Sequence, residues 1–157
     1  MSSDRTWYTV YAYRTDPAAA HTLNATMAGL GFRGDGSAPE VLEWQADDHP
    51  VGRSQEIAEE LRRLAARHRF AFEVYEEATE LDMGHHYTYL PDQDLLHQGM
   101  FGNDGRDYLP VERVVEAIDT TTSREELVQT LEAASGIQAA RGLQAWHDGP
   151  RDPPATA

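Results

Sequence analysis

The sequence predicts an α+β protein in which a mixed or antiparallel sheet carries helices on one face and a C-terminal helical cap. Two observations lead to this prediction. In the first half of the chain, segments of alternating apolar residues are separated by segments with helical spacing, whereas helical patterns dominate beyond residue 110. This order favours helices packed on a sheet, because each amphipathic element must bury its apolar side against another element.

The segment over residues 6–13 is rich in aromatic and β-branched side chains, which is typical of a strand. Alternation places Trp7, Tyr11 and Tyr13 on one face of that strand. We interpret this aromatic row as sheet packing, because the acidic charge of the chain does not suit stacking on nucleic-acid bases. Asp16-Pro17 then predicts the start of a first helix, with an N-cap followed by proline.

Three further elements are expected before the middle of the chain. A glycine-rich turn over 33–37 leads to a short second strand over 41–44. A loop over 47–52 precedes Ser54, which we expect to cap a second helix. The apolar residues of that helix recur at helical spacing through residue 64, which predicts one buried stripe.

Extended segments return after the second helix. Residues 70–75 alternate with the period of a half-buried strand, and a second strand around residues 87–90 is expected to pair with it in antiparallel fashion. The turn Asn103-Asp104-Gly105 predicts a small hairpin within residues 100–108.

Helical patterns fill most of the remaining chain. Pro110 opens a third helix, Ser123 with Glu126 matches a capping box for a fourth, and Gly136 separates the fourth helix from a fifth. We expect one α+β domain over residues 1–147. Residues 148–157 contain three prolines and no apolar pattern, which predicts a disordered tail.

Composition argues against several classes of function. A net charge of −14 does not suit direct nucleic-acid binding or docking on anionic membranes, because both require cations. Cysteine is absent, which excludes thiol nucleophiles, disulfides and thiolate metal sites. The chain shows neither an apolar signal segment nor a stretch long enough to span a bilayer, so a cytoplasmic location is expected.

The window between Phe70 and Gly105 has the most unusual charge in the chain. It contains eight acidic side chains, three histidines and no lysine or arginine. Such a one-signed window favours a basic partner surface, so we expect a non-enzymatic protein-binding module. An accessory or inhibitory protein of a mobile element that mimics nucleic acid is one version of this hypothesis. The expected binding residues are Glu73, Glu76, Glu77, Glu80, Asp82, Tyr87, Tyr89, Asp92 and Asp94.

The histidines of the same window support an alternative. His85, His86 and His97, with Glu80 or Asp82, offer nitrogen and oxygen ligands for a divalent metal, which would make the chain a metal-dependent hydrolase. Adjacent residues on a strand point to opposite faces, however, so the first two histidines do not normally share one ion. No cofactor is otherwise expected. A purely structural or assembly protein is a third reading, and it predicts a large exposed apolar patch and a defined oligomer.

Part of the sequence resembles small uncharacterised acidic proteins of actinobacteria and their plasmids or phages. The resemblance rests on residues 72–77 (Phe-Glu-Val-Tyr-Glu-Glu), Gly84, residues 89–92 (Tyr-Leu-Pro-Asp) and the Asn-Asp-Gly turn at 103–105, followed by a helix. It covers roughly residues 55 to 120. It implies no activity and no assigned functional residues.

Overall fold

The computed structural model describes residues 4–35 and 40–149, without the side chain of Asp35. Within these ranges the chain forms seven strands, five α-helices and a 3₁₀ turn at Pro91–Gln93. The strands are β1 (Arg5–Tyr13), β2 (Arg33–Asp35), β3 (Val41–Pro50), β4 (Ala71–Glu76), β5 (Gly84–Leu90), β6 (Leu95–Phe101) and β7 (Asp107–Tyr108). The helices are α1 (Pro17–Gly29), α2 (Ser54–His68), α3 (Val111–Thr120), α4 (Arg124–Ala134) and α5 (Ile137–Asp148).

All seven strands belong to one antiparallel sheet in the order β2-β3-β1-β4-β5-β6-β7. The elements from β1 to β4 follow the order β-α-β-β-α-β, with β1 between β3 and β4. This is the arrangement of the ferredoxin-like split βαβ motif. Strands β5, β6 and β7 then extend the sheet as a meander. The expected α+β class is therefore confirmed, and its antiparallel form is the one observed.

The main core lies between α1, α2 and one face of the sheet, which we denote the helix face. Strand alternation directs Tyr8, Val10 and Ala12 of β1 into this core, where all three are fully buried. Trp44 of β3 is buried there as well, and its indole N–H donates to Asn24 of α1 at 2.9 Å. The predicted alternation of β1 is thus confirmed.

The opposite side of the sheet, the second face, is covered at one end by α5. Leu143 packs with Ala71 of β4 and Leu90 of β5, and Trp146 closes the same cluster. Gly142 permits this approach, because a Cβ atom there would lie 2.6 Å from Leu90 Cδ1. The C-terminal helices therefore cap one end of the second face and leave the strands beyond it open.

Two expectations about the β2–β3 region are wrong. The predicted turn over 33–37 begins as strand β2, which reaches Asp35, while residues 36–39 lie outside the described part of the chain. The predicted loop over 47–52 is strand as far as Pro50, because β3 pairs with the whole of β1. Residues 47–48 form a bulge opposite Trp7, with Asp48 at φ 60°, and a bulge of this kind resembles a loop in sequence.

The remaining helix and turn signals agree with the structure. The carboxylate of Asp16 accepts the Ala19 N–H at 2.7 Å at the start of α1, and the Ser123 hydroxyl oxygen accepts the Glu126 N–H at 3.1 Å at the start of α4. Strands β6 and β7 form the expected hairpin. Helix α5 includes Asp148, which had been expected in the tail, and residues 150–157 lie outside the described residues.

Candidate functional site

Strand alternation gathers a carboxylate, two tyrosines, a histidine and a threonine on the second face. Tyr13 lies on β1, Glu73 and Tyr75 on β4, and His86 and Thr88 on β5, which are three neighbouring strands. The register pairs Glu73 with Thr88 and Tyr75 with His86. We denote these five residues the Glu73 cluster.

The Glu73 carboxylate at the centre of this cluster accepts three hydrogen bonds. The Tyr13 hydroxyl donates to Oε2 at 2.5 Å and the Tyr75 hydroxyl donates to Oε1 at 3.0 Å. His86 Nε2 lies 3.2 Å from the same Oε1, and the Thr88 hydroxyl oxygen lies 3.1 Å from that nitrogen. Only 12% of the Glu73 side chain is exposed, so these donors replace most of its water.

The hydrogen bonds determine the charge state of the cluster. Burial alone would raise the pKa of Glu73, because a carboxylate ionises less readily away from water. Hydrogen bonds from His86, Tyr13 and Tyr75 outweigh burial and lower the pKa below its ordinary value of 4.5. Burial, reinforced by the Glu73 carboxylate, raises the pKa of both Tyr13 and Tyr75 above 10.0. At neutral pH the cluster is therefore an ionised carboxylate held by neutral phenols.

Aromatic rings continue across the second face from this cluster. The His86 ring stacks on Tyr75 with centroids 4.1 Å apart and planes 9° apart, and Tyr11 of β1 meets Tyr75 edge to face at 6.1 Å. Burial, followed by the carboxylates of Glu43 and Glu73, raises the pKa of Tyr11. This row of rings thus lies within a negative potential.

The part of the second face beyond Tyr11 is open and also acidic. A shallow cavity of about 440 Å³ lies there, and its lining residues are Trp7, Arg33, Gly34, Glu43, Gln45 and Asp47. Trp7 is 54% exposed. Arg33 reaches Asp47 at 3.8 Å, which is a weak ion pair at such an exposed position. We denote Trp7, Tyr11, Glu43 and Asp47 the open aromatic–acidic surface.

Sequence reasoning missed this surface as a site. The sequence shows the stripe of Trp7, Tyr11 and Tyr13 and favours its interpretation as sheet packing. That interpretation holds for Tyr13, which packs with the α5 cluster. It does not hold for Trp7, which is exposed because α5 does not reach that end of the sheet.

A second acidic side chain of the window is buried on the helix face. Glu76 is fully buried, and its Oε1 accepts the Gly52 N–H at 2.5 Å while its Oε2 accepts the Ser54 N–H at 3.2 Å. These N–H groups lie at the start of α2, where Arg53 makes no side-chain capping bond. Glu76 therefore caps α2 from β4, and Ser54, the expected N-cap, is instead the first helical residue.

The acidic window as a whole does not form the single surface that its charge suggested. Glu73 and Glu76 point inward, because strand alternation places one on each covered face. Asp92 pairs with Arg69 at 2.7 Å and Asp94 with Arg62 at 3.0 Å. The other expected binding residues divide between the core, with Tyr87 and Tyr89, and the exposed connector, with Glu77, Glu80 and Asp82.

The three histidines of the window do not converge. His86 and His97 share the second face, whereas His85 lies on the helix face with Tyr87, as alternation along β5 requires. His97 packs closely under the α4–α5 turn. A Cβ atom at Gly136 in that turn would lie only 2.6 Å from His97 Nε2. No group of three or more metal-ligating side chains is placed to hold an ion within residues 4–35 and 40–149.

The sheet order and helix placement define the class: an α+β protein built on the split βαβ arrangement and extended by a three-stranded meander. The chain belongs to a family of proteins of unknown function, DUF3145, whose model matches residues 15–156. The expected resemblance to a family without an assigned activity is confirmed at this level. No curated protein and no solved structure matches the chain. None of the helices in the described ranges is long and apolar enough to cross a membrane.

Proposed function

We propose that the chain is a non-enzymatic binding module that holds a basic segment of a partner protein on the open aromatic–acidic surface. The supporting observation is the exposure of Trp7 beside the carboxylates of Glu43 and Asp47, at the end of the second face that α5 leaves uncovered. An arginine side chain suits this combination, because its guanidinium stacks on an aromatic ring and donates to carboxylates in its plane.

The Glu73 cluster, which lies beside this surface on the second face, supports the same proposal. Its ionised carboxylate adds negative potential to the row of Tyr11, Tyr75 and His86, while two of its three hydrogen bonds hold Tyr75 and His86 in place. A binding surface built on strands in this way loses little side-chain freedom when a ligand arrives. The partner we infer is therefore an arginine-containing segment, and charge complementarity would raise its encounter rate.

The test uses a fluorescent twelve-residue peptide of alternating arginine and serine, with a glutamate–serine peptide as its counterpart. We expect the arginine peptide to bind, and Trp7→Ala or the pair E43Q/D47N to weaken binding by about tenfold, which corresponds to about 1.4 kcal/mol. The matched control is E80Q/D82N, which removes the same charge from the connector. Equal weakening by the control would show attraction to net charge alone and would contradict the proposal.

A sharper version makes the chain an accessory or inhibitory protein of an actinobacterial mobile element that acts in the cytoplasm and mimics nucleic acid. The net charge of −14 and the exposed acids of the connector support this version. Its partner would be a basic nuclease-like surface, and duplex DNA would compete with the chain for that surface. Binding that is unchanged in about 1 M salt would contradict this version, because such attraction is screened.

Metal-dependent hydrolysis is the competing function. His86 and His97 share the second face with Glu73, but among the described residues these side chains do not form a group that could hold an ion, and the Glu73 carboxylate already accepts three hydrogen bonds. A divalent ion would have to displace those donors. Elemental analysis of the purified protein after dialysis against zinc or manganese tests this function, and less than one ion per chain would exclude it.

A further inference from the structure

Helix α3 exposes an apolar stripe that no other described element covers. Val111, Val115 and Ile118 are 72%, 50% and 56% exposed, and their i, i+4, i+7 spacing puts them on one side of the helix. The packed side of α3 is different: Ala117 is buried there and Val114 is half-buried. The apolar side chains of α3 are therefore divided between a packed side and an exposed side.

Carboxylates border the exposed stripe. Glu112, Glu116 and Asp119 follow the three apolar residues by one position each, so they form a parallel row along one flank. Val111 and Val115 of the stripe line one shallow groove of about 430 Å³ together with Glu112, Glu116, Asp119 and Thr120, and Ile118 continues the exposed stripe outside that lining. Arg113 projects from the far side of α3, roughly 180° around the axis from the stripe. The groove therefore combines an apolar floor with charge of a single sign.

We propose that this groove docks an amphipathic helix of another protein, whose apolar residues at i, i+4 and i+7 lie beside a row of arginine or lysine side chains. The length agrees, because the stripe spans about 10 Å and two turns of a partner helix cover about 11 Å. The charge agrees as well, since a basic row would lie against Glu112, Glu116 and Asp119. This site is on a different surface from the one in the proposed function and does not depend on it.

The other occupants fit less well. A second copy of α3, packed antiparallel about a two-fold axis, would set each acidic row against its own copy, and two chains of charge −14 already repel. The chain's own residues 150–157 supply one arginine, one aspartate and no large apolar side chain for the groove. The acidic flank and the exposed valines together select a basic amphipathic helix.

The probe is an acetylated sixteen-residue helical peptide with leucines at i, i+4 and i+7, a flanking row of arginines and a fluorescent label. A second peptide carries glutamates in place of the arginines. We expect saturable binding of the arginine peptide in fluorescence anisotropy at least about tenfold tighter than that of the glutamate peptide. Binding of both peptides with equal affinity, or no saturation up to about 1 mM arginine peptide, would overturn the proposal.

Variants locate the binding on α3. V115S/I118S should weaken the binding of the arginine peptide by about tenfold or more, since it removes two of the three apolar side chains of the stripe, and both positions are exposed and therefore tolerate polar residues. E112Q/E116Q/D119N should weaken it and reduce its salt dependence. The matched control E77Q/E80Q/D82N removes the same three charges elsewhere, and an equal loss there would overturn the assignment. Light scattering on the free protein completes the test, because a dimer that V115S/I118S disperses would identify a second copy as the occupant.

Discussion

Two tyrosines on the same face of β1 have different environments. The Tyr13 hydroxyl donates to the Glu73 carboxylate at 2.5 Å, whereas the Tyr11 hydroxyl has no hydrogen-bond partner within the described residues. We predict that Tyr13→Phe destabilises the fold by about 1.5–3 kcal/mol, because hydrogen bonds to charged groups contribute roughly that amount. Tyr11→Phe, the matched control, should change the free energy of unfolding by less than about 0.5 kcal/mol.

Urea denaturation of the two variants and of the parent protein provides the comparison. Glu73→Gln tests the same cluster from its centre, since an amide accepts fewer hydrogen bonds and donates where Tyr13 and Tyr75 also donate. Equal stability of the Tyr13 and Tyr11 variants would show that the hydrogen bond from Tyr13 to Glu73 contributes nothing to the free energy of unfolding.

His97 gives the fold a dependence on pH. Burial, reinforced by the charge of His86 and opposed by Asp107, lowers the pKa of His97 below its ordinary value of 6.5. The folded state therefore prefers the neutral ring, so its contribution to stability is present above about pH 6.5 and decreases as the pH falls through the folded pKa. We predict that His97→Asn reduces the loss of stability between pH 7.5 and pH 5.

Urea midpoints at the two pH values measure this loss for the parent, for His97→Asn and for His21→Asn. His21 is exposed on α1, so the His21 variant should behave like the parent. If His97→Asn loses as much stability on acidification as the parent does, the acid sensitivity arises elsewhere.

Among the elements, α2 depends on a residue that is distant in sequence. The N–H of Ser54, its first residue, and the N–H of Gly52 just before it both donate to the buried Glu76 carboxylate, which also complements the positive end of the helix. We predict that Glu76→Gln costs about 1–3 kcal/mol, because a buried amide cannot accept both N–H groups without leaving its own N–H₂ unsatisfied. Hydrogen exchange should show the largest loss of protection at the start of α2.

Glu56→Gln is the matched control for this prediction. Glu56 lies in the first turn of the same helix, but it is exposed and only pairs with Arg53 at 3.3 Å. Its substitution should cost less than about 1 kcal/mol, as is usual for exposed ion pairs. Similar effects of the two substitutions would mean that Glu76 acts through general charge and not as a cap.

Local signals were sufficient for most elements and insufficient for their connections. The alternation in β1, the Asp16 cap of α1 and the capping box of α4 were all predictable, because each depends on residues within four positions. The role of Glu76 was not, because its partners at Gly52 and Ser54 lie 24 and 22 positions away and meet it only once β4 is in the sheet. The sequence predicts too short a strand β3, because the bulge of that strand carries two aspartates.

The candidate site shows the same division. The acidic window is evident from the sequence, yet its members separate onto two faces of the sheet and into ion pairs with Arg62 of α2 and with Arg69 just after it, both outside the window. The number of charges in a sequence window predicts the electrostatic potential of a surface only when the side chains of that window lie on the same surface. Trp7, Glu43 and Asp47 form a common surface although they lie on two strands 36 or more positions apart in sequence.

At the scale of the whole molecule, the acidic side chains outnumber the cations so strongly that pairing leaves a large excess. Because the net charge is −14, carboxylates on the connector, on α3 and on the second face repel one another, and dissolved salt screens this repulsion. The compact state concentrates this repulsion, whereas the unfolded chain spreads it over a larger volume. The ion pairs in the described residues are mostly exposed, and each contributes little to oppose it.

We therefore predict that salt stabilises the fold. Raising sodium chloride from about 20 mM to about 500 mM shortens the Debye length from roughly 20 Å to about 4 Å. Relief of about 1 kcal/mol of repulsion would raise the melting temperature by about 2–4 °C for a chain of this size. E80Q/D82N begins with less repulsion, so its melting temperature should be higher at low salt and should rise less on adding salt. A melting temperature that falls with salt in the parent protein would show that the exposed ion pairs outweigh the excess of carboxylates.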